Sequence, residues 1–260
     1  MSTAIAPPLL ELQQISRQFG GLQALREVSF SIQEGEIFGL MGPNGAGKTT
    51  LFNILSGITP ASSGSIHWRG QSLQGLSPER HNRLGIARTF QNLRLFEGLS
   101  VLDNVVAALH RLPQGHGLDA LLNTPRFRAS QAELHQRALL LLEELGLADQ
   151  AHRQAGALAY GDRRRLEIAR ALATSPTLLL LDEPAAGMNP SEKEQLCALL
   201  AKLRQRHGLT LIVIEHHVPL LMQLCQRLAV LDFGELIAIG PPHVIQGDPR
   251  VIEAYLGGSA

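Results

Sequence analysis

The sequence predicts an α/β fold: buried strands alternating with helices, an antiparallel β-layer ahead of them, and an α-helical subdomain set into the chain. Three observations predict it. An apolar run, Ile37–Met41, leads through a glycine-rich loop, Gly42–Thr49, into a helix-like stretch, Thr50–Leu55. Two further apolar runs, Thr177–Leu181 and Leu209–Ile214, flank a helical pattern over Pro190–His207. Such runs are expected of strands buried on both faces. Between about residues 92 and 155 the pattern is helical instead. A chain of 260 residues with 45% hydrophobic content suits a single domain. Its core and β-layer are expected in residues 1–91 and 156–260, and the helical subdomain in 92–155.

In chain order, residues 1–8 are expected as a loose tail. Leu9–Ser16 and Glu27–Ile32 alternate as strands of the β-layer. Gly57 stops the first helix, and Gly64–Arg69 and Gly85–Gln91 return as strands. Val101–Leu109 is helical. Residues 111–130 are weakly patterned, and Gln131–Gly146 is an amphipathic helix on Ala138, Leu141, Leu142 and Leu145. Leu158–Arg165 precedes a helix with the apolar face Leu166, Ala169 and Leu172. Pro190 opens its helix at a position proline tolerates, the stripe is Leu196, Leu199, Leu200 and Leu203, and Gly208 closes it. Leu228–Leu231 and Glu235–Ile239 form a hairpin around Asp232-Phe233-Gly234. Asp248–Leu256 is a short helix before a Gly-Gly-Ser-Ala end.

Composition narrows the class. Lys plus Arg and Asp plus Glu both number 23, which disfavours a general nucleic-acid binder. No apolar run approaches the ~18 residues of a membrane span, and the N-terminus lacks the basic region of a secretion signal. The chain is therefore expected to be cytosolic, with any membrane association made through a partner. Cys197 and Cys225 do not make a disulfide framework; both are expected as small buried side chains.

The chemistry centres on Gly42-Pro43-Asn44-Gly45-Ala46-Gly47-Lys48-Thr49-Thr50, which fits G-x-x-x-x-G-K-[ST]. Successive backbone N–H groups of such a loop form a nest for phosphate oxygens, and the following helix N-terminus adds partial positive charge. Lys48 is placed to reach the β- and γ-phosphates and Thr49 to ligate Mg²⁺. The plainer reading is a glycine-rich turn beside a surface lysine; the flanking strand and helix favour the phosphate loop.

Leu178–Leu181 ends in Asp182-Glu183. Ligands of open α/β sheets bind at the carboxyl ends of strands. Asp182 there can hold Mg²⁺ through water, and Glu183 can polarise a water in line with the γ-phosphate; an acidic helix cap is the bland reading. His216 follows the next buried strand and can donate to the γ-phosphate, or merely cap a helix. Gln91 can contact Mg²⁺ and the attacking water, or be an exposed loop residue. Phe19, before Gly20-Gly21, is either a ring exposed for stacking on adenine or a core Phe in a turn. Leu158-Ala159-Tyr160-Gly161-Asp162 opens a helix as a further anion site. Arg163, Arg164 and Arg165 after it are expected to be a solvated face.

Together these residues resemble the ATP-binding cassette (ABC) ATPases over nearly the whole chain. That resemblance implies a P-loop NTPase (RecA-like) core, ATP and Mg²⁺. Gly42–Thr49 matches the Walker A loop, Leu178–Asp182 the Walker B strand, Glu183 the catalytic glutamate, Gln91 the Q-loop, His216 the H-loop and Phe19 the adenine-stacking aromatic. Leu158–Asp162 matches the signature motif and Ala186–Pro190 the D-loop. The signature departs from its usual Leu-Ser-Gly-Gly-Gln. Ala159 lacks the hydroxyl that bonds the opposing subunit's ATP, a bond of roughly 1.5–3 kcal/mol, and Asp162 adds negative charge unless it points away. Asn189 stands where the D-loop usually has Asp. In detail, Gly85–Phe96, Leu158–Thr174, Glu183–Pro190, Leu121–Gln131 and Ile252–Gly257 look like ATPases of branched-chain amino-acid importers. Urea-importer and lipopolysaccharide-exporter ATPases share much of this. One Walker A and one signature per chain imply head-to-tail pairing. The implied partners are transmembrane permease subunits, a second ABC ATPase (the same or a different chain) and, indirectly, a periplasmic or extracellular substrate-binding protein. The implied location is peripheral, at the cytoplasmic face of the membrane. Two other classes fit less well. A non-transport ABC ATPase acting on nucleic acid or ribosomes is disfavoured by the single cassette, short helical block and neutral charge. A small-molecule kinase needs neither the signature nor His216.

Overall fold

The computed structural model describes residues 7–91, 93–110 and 124–256. Most of the predicted N-terminal tail, most of the weakly patterned stretch from 111 and the Gly-Gly-Ser-Ala end lie outside them, as do Leu121, Leu122 and Asn123 of the importer-like segment. Two compact units emerge. One joins the described residues up to Arg88 to those from Thr177 onward; the other is Thr89–Pro176.

The first unit opens with β1 (Leu10–Phe19) and β2 (Leu22–Ile32), an antiparallel hairpin turning at Gly20, whose φ is 57°. Both strands outrun the predicted 9–16 and 27–32. Their outer ends pair as Gln18 with Gln23 and Phe19 with Leu22; these ends are exposed, so no apolar alternation marks them. The apolar run is β3 (Ile37–Met41), buried throughout, and α1 (Lys48–Leu55) follows the glycine loop. Then come β4 (Ser63–Trp68), β5 (Gln71–Ser72), α2 (Pro78–Arg83) and β6 (Ile86–Arg88). β5 and α2 are too short and polar to show periodicity. β6 ends three residues before Gln91, so the predicted strand over 85–91 is corrected at its C-terminal end.

The second unit contains α3 (Val101–Leu109), α4 (Pro125–Glu144) and α5 (Tyr160–Ala173). The Ser100 hydroxyl caps α3 by accepting the Asp103 N–H at 2.9 Å. Thr124 caps α4 through the Phe127 N–H at 3.2 Å, with Pro125 in the first turn. α4 therefore starts before the predicted Gln131: its first turns carry few apolar residues, and the cap rather than periodicity marks the start. α3, α4 and α5 pack on one another through Val101, Val105, Ala138, Leu142, Leu166 and Ala169, each almost fully buried. Because α5 belongs to this packing, the helical unit spans 89–176 rather than the expected 92–155.

The first unit resumes with β7 (Leu178–Asp182), α6 (Pro190–His207), β8 (Thr210–Ile214) and α7 (Val218–Leu224). It closes with β9 (Arg227–Asp232), β10 (Glu235–Gly240), α8 (Pro242–Gln246) and α9 (Pro249–Leu256). Its antiparallel sheet has the order β2-β1-β4-β5, and its second sheet the order β10-β9-β3-β8-β7-β6. The second is parallel except for β10. One core joins both sheets and α1: Leu10, Leu12 and Ile32 meet Phe38, Leu40, Leu180 and Ile212, with Leu51, Phe52 and Leu55 from α1. Each such large apolar side chain contributes about 1.5–3 kcal/mol on burial. Cys197 and Cys225 are both free and buried.

Candidate functional site

β3, β8 and β7 are parallel neighbours, so their carboxyl ends bring Gly42, Glu215-His216 and Asp182-Glu183 to one edge, where ligands of such sheets bind. Side-chain-free residues are required in the loop after β3. At Gly42 φ is 146°, and a Cβ there would lie 2.1 Å from the Leu231 carbonyl oxygen. At Gly47 φ is 99°, and a Cβ would lie 2.6 Å from the Ala24 oxygen. Two distant segments brace the loop. The Gly234 N–H donates to Ala46 O at 3.2 Å, and the Gly42 N–H donates to the Tyr255 hydroxyl at 2.9 Å. Asn44, Gly45 and Thr49 are exposed, Thr50 is half-buried, and Ala46 is buried.

Lys48 is only 6% exposed. Its Nζ donates to Gly42 O at 2.7 Å and Pro43 O at 2.8 Å. Burial pushes its pKa down; the charges of Glu183 and Asp182 push it back up. Those acids are therefore electrostatic neighbours of the loop lysine.

Asp182 is buried at the end of β7 and pairs with Arg88, Oδ2 to Nη2, at 2.9 Å. Arg88 also donates to Asn53 Oδ1 at 2.7 Å and Ser56 Oγ at 3.1 Å, tying α1 to β7. Glu183 adopts φ 50°, a left-handed conformation that a non-glycine residue holds at a cost. Its N–H donates to Ile214 O at 2.9 Å, and its Oε1 meets His216 Nε2 at 2.8 Å. Glu215 is buried, and its Oε1 accepts the Ala185 N–H at 2.6 Å. Burial, then the charge of Glu183 in the same sense, pushes the Glu215 carboxyl up; the Ala185 bond opposes it. Glu215 thus props the turn that carries Glu183. Phe19 ends β1 half exposed, with the Arg17 guanidinium 4.4 Å from its ring centroid; the core-Phe reading is excluded.

The remaining predicted residues lie in the second unit. The Gln91 side chain is exposed. Leu158 is buried, Ala159 is the N-cap of α5 without a side-chain bond, Tyr160 is exposed and Gly161 half-buried. Asp162 accepts from Gln150 Nε2 at 2.8 Å and lies 3.7 Å from Arg165, so its charge is answered within this unit. The solvated face expected of Arg163–Arg165 is corrected at Arg164. It is 3% exposed and donates to Phe90 O, Gln91 O and the Tyr160 hydroxyl. Tyr160, Arg164 and Glu167 recur at one helical face, the signal in the sequence that the run of arginines obscured. Glu215 repeats the pattern of an acid ending an apolar strand. Arg88 and Tyr255 lie in the importer-like stretches Gly85–Phe96 and Ile252–Gly257, but the sequence assigns neither a role.

Among the described residues, no group of three or more His, Cys, Asp or Glu could hold a metal ion. None of their helices is long and apolar enough to cross a membrane. A family model described as ABC transporter matches residues 25–186. The chain belongs to the ABC transporter family. Its ABC match takes in Gly42–Thr49, Leu158–Asp162 and Asp182-Glu183. A second model, described as branched-chain amino acid ATP-binding cassette transporter, matches residues 235–260 and so includes Tyr255. The chain is 46% identical over 253 residues to the high-affinity branched-chain amino acid transport ATP-binding protein LivG of Salmonella typhimurium, covering 97% of this chain and 99% of the relative. It is 44% identical over 250 residues to BraF, of the same description, from Pseudomonas aeruginosa, covering 96% and 98%. Among solved structures, the ADP conformation of MJ1267, an ATP-binding cassette of an ABC transporter, superposes with a TM-score of 0.83 at 30% identity, covering 96% and 99%. This ABC chain is an ATP-binding ATPase.

Proposed function

We propose that this chain powers a membrane importer of branched-chain or related amino acids. Its partners are transmembrane permease subunits, a second ABC ATPase paired head-to-tail, and a capture protein that meets the permease on the far side of the membrane. It works peripherally, at the cytoplasmic face. The full-length likeness to LivG and BraF supports the cargo class. The Glu183–His216 contact of 2.8 Å beside the phosphate loop carries the ATPase reading.

In this reading the Gly42–Thr50 loop holds the phosphates and Lys48 exchanges its two carbonyl partners for phosphate oxygens. Phe19 stacks on adenine. Glu183 takes a proton from the attacking water, and His216 orients Glu183 and reports the γ-phosphate. Leu158, Ala159, Tyr160 and Gly161 face the partner's ATP. Mg²⁺ fits the donor set. It takes one or two carboxylates, with phosphate and water oxygens completing its shell, which agrees with Asp182, buried at the end of β7 and already facing a cation in Arg88. Asp182, Thr49 and Gln91 would hold it, and it would neutralise charge on the phosphates.

Two measurements test the proposal. Glu183→Gln should cut ATP turnover by about 10²–10⁴-fold, the usual worth of a general base, while still binding ATP and stabilising the closed pair. Normal turnover would remove Glu183 as the base. Tagged in its native host and extracted in mild detergent, the chain should co-purify with two different membrane subunits and a second, different ATPase. One ATPase type with exporter-like subunits would instead point to lipopolysaccharide export. Recovery with ribosomes or nucleic acid would sink transport and leave the ATPase chemistry standing.

A further inference from the structure

We propose that Arg164, with Glu167 and Tyr160, is a positioning residue that fixes Gln91 to the first turn of α5. Gln91 and the Leu158–Gly161 turn are then placed as one piece. This rests on the roles proposed above for Gln91 and that turn.

The geometry is a clamp on two consecutive residues. Arg164 Nη1 donates to Phe90 O at 2.9 Å, and Nη2 donates to Gln91 O at 2.7 Å. Glu167 Oε1 accepts the Phe90 N–H at 2.8 Å. Arg164 Nη1 meets Glu167 Oε2 at 3.3 Å, and Nη2 donates to the Tyr160 hydroxyl at 2.8 Å. Arg164 and Glu167 are 3% and 6% exposed. A buried ion pair is weak evidence for stability, because an apolar pair of similar volume is often as good or better. An apolar pair, however, could not grip three main-chain groups of residues 90 and 91. Lysine could not either: the guanidinium is a rigid planar fork, whereas an ammonium is a point charge. Tyr160 stands where the signature usually has Gly, and its hydroxyl is one of the groups the fork engages. The departure therefore has a use: the turn proposed to face the partner's ATP is bonded to the arginine that holds Gln91. Displacing that turn drags Gln91, so hydrolysis in this chain's own site depends on the turn's placement.

The test uses the full chain in its native complex and reads binding and turnover separately. R164M/E167Q removes both buried charges together and leaves neither uncompensated. A misplacement of about 1 Å costs on the order of a hundredfold in rate. The double variant should therefore lose at least about tenfold in kcat, with Mg²⁺-free ATP affinity within about twofold of the unaltered protein. R164K keeps the charge, guards against misfolding of the double variant, and should lose about fivefold or more in kcat. Full turnover in folded R164K or in the folded double variant overturns the proposal. Amide hydrogen exchange supplies a readout independent of activity: the Phe90 N–H should be protected in the unaltered protein and exchange faster in the double variant. Rapid exchange in the unaltered protein overturns the clamp. If the unaltered complex makes no ADP, the ATPase reading fails instead, and the exchange measurement still decides the clamp.

Discussion

The ammonium of Lys48 sits almost out of water, satisfied by two carbonyls of its own loop and facing Asp182 and Glu183. Burial favours its neutral form and pushes its pKa down; the two acids oppose that. A phosphate oxygen can replace either carbonyl without moving the charge far. Lys48→Ala should therefore weaken ATP binding by about tenfold to a hundredfold, the equivalent of a charged hydrogen bond of about 1.5–3 kcal/mol. Equilibrium binding without Mg²⁺ would check this, and unchanged affinity would remove Lys48 from the site. At this scale the positions that sit at strand ends were legible. Lys48, Asp182, Glu183 and His216 each follow an apolar run, and a parallel sheet brings such ends together. Arg88, Glu215 and Tyr255 were not assigned a role. Their partners lie 94, 30 and 213 positions away, and only the folded register pairs them. Arg164 was misjudged for another reason: three adjacent arginines look solvated, and they obscure the helical spacing of Tyr160, Arg164 and Glu167 that marks the one turning inward.

At the scale of elements, α6 was legible end to end, because both its termini carry chemistry. Asn189 accepts the Glu192 N–H at 2.9 Å, and Glu192 returns the contact to the Asn189 N–H at 2.8 Å, closing a capping box. Gly208 ends the helix at φ 62°. α2, α7 and α8 have only five to seven residues, too few turns for a stripe to repeat, and they were missed. The capping box also gives Asn189 a structural task that the usual Asp performs as well. Asn189→Asp should leave stability nearly unchanged, whereas Asn189→Ala should cost about 1 kcal/mol. Urea unfolding of the two variants checks this. Equal loss in both would show that the cap contributes nothing and that the side chain matters through some other contact.

At the scale of the whole molecule, buried titratable groups set opposing slopes of stability against pH. Burial pushes Glu215 in the first unit and Glu167 in the second above the usual carboxyl value of 4.5. Each binds its proton more tightly folded than unfolded. Their contribution is therefore fully present below 4.5 and is lost as pH rises through the folded pKa. His81 runs the other way. Burial pushes it below 6.5, against the pull of the Leu55 and Leu73 carbonyls. The unfolded chain then binds the extra proton, and stability rises with pH up to about 6.5. These windows adjoin, so the slope of the unaltered protein is a sum and cannot be assigned by itself. A difference can. Glu215→Gln keeps an oxygen acceptor for the Ala185 N–H and removes one titration. As pH rises from 4.5 through the folded pKa of Glu215, the variant should gain stability relative to the unaltered protein, by at most about 1.4 kcal/mol per pH unit. Urea unfolding of both proteins across that range measures it. Parallel curves would mean that Glu215 keeps an ordinary pKa despite its burial. The Ala185 and His216 backbone bonds would then offset its desolvation, and the turn carrying Glu183 would rest on a charged carboxylate at every pH in the range.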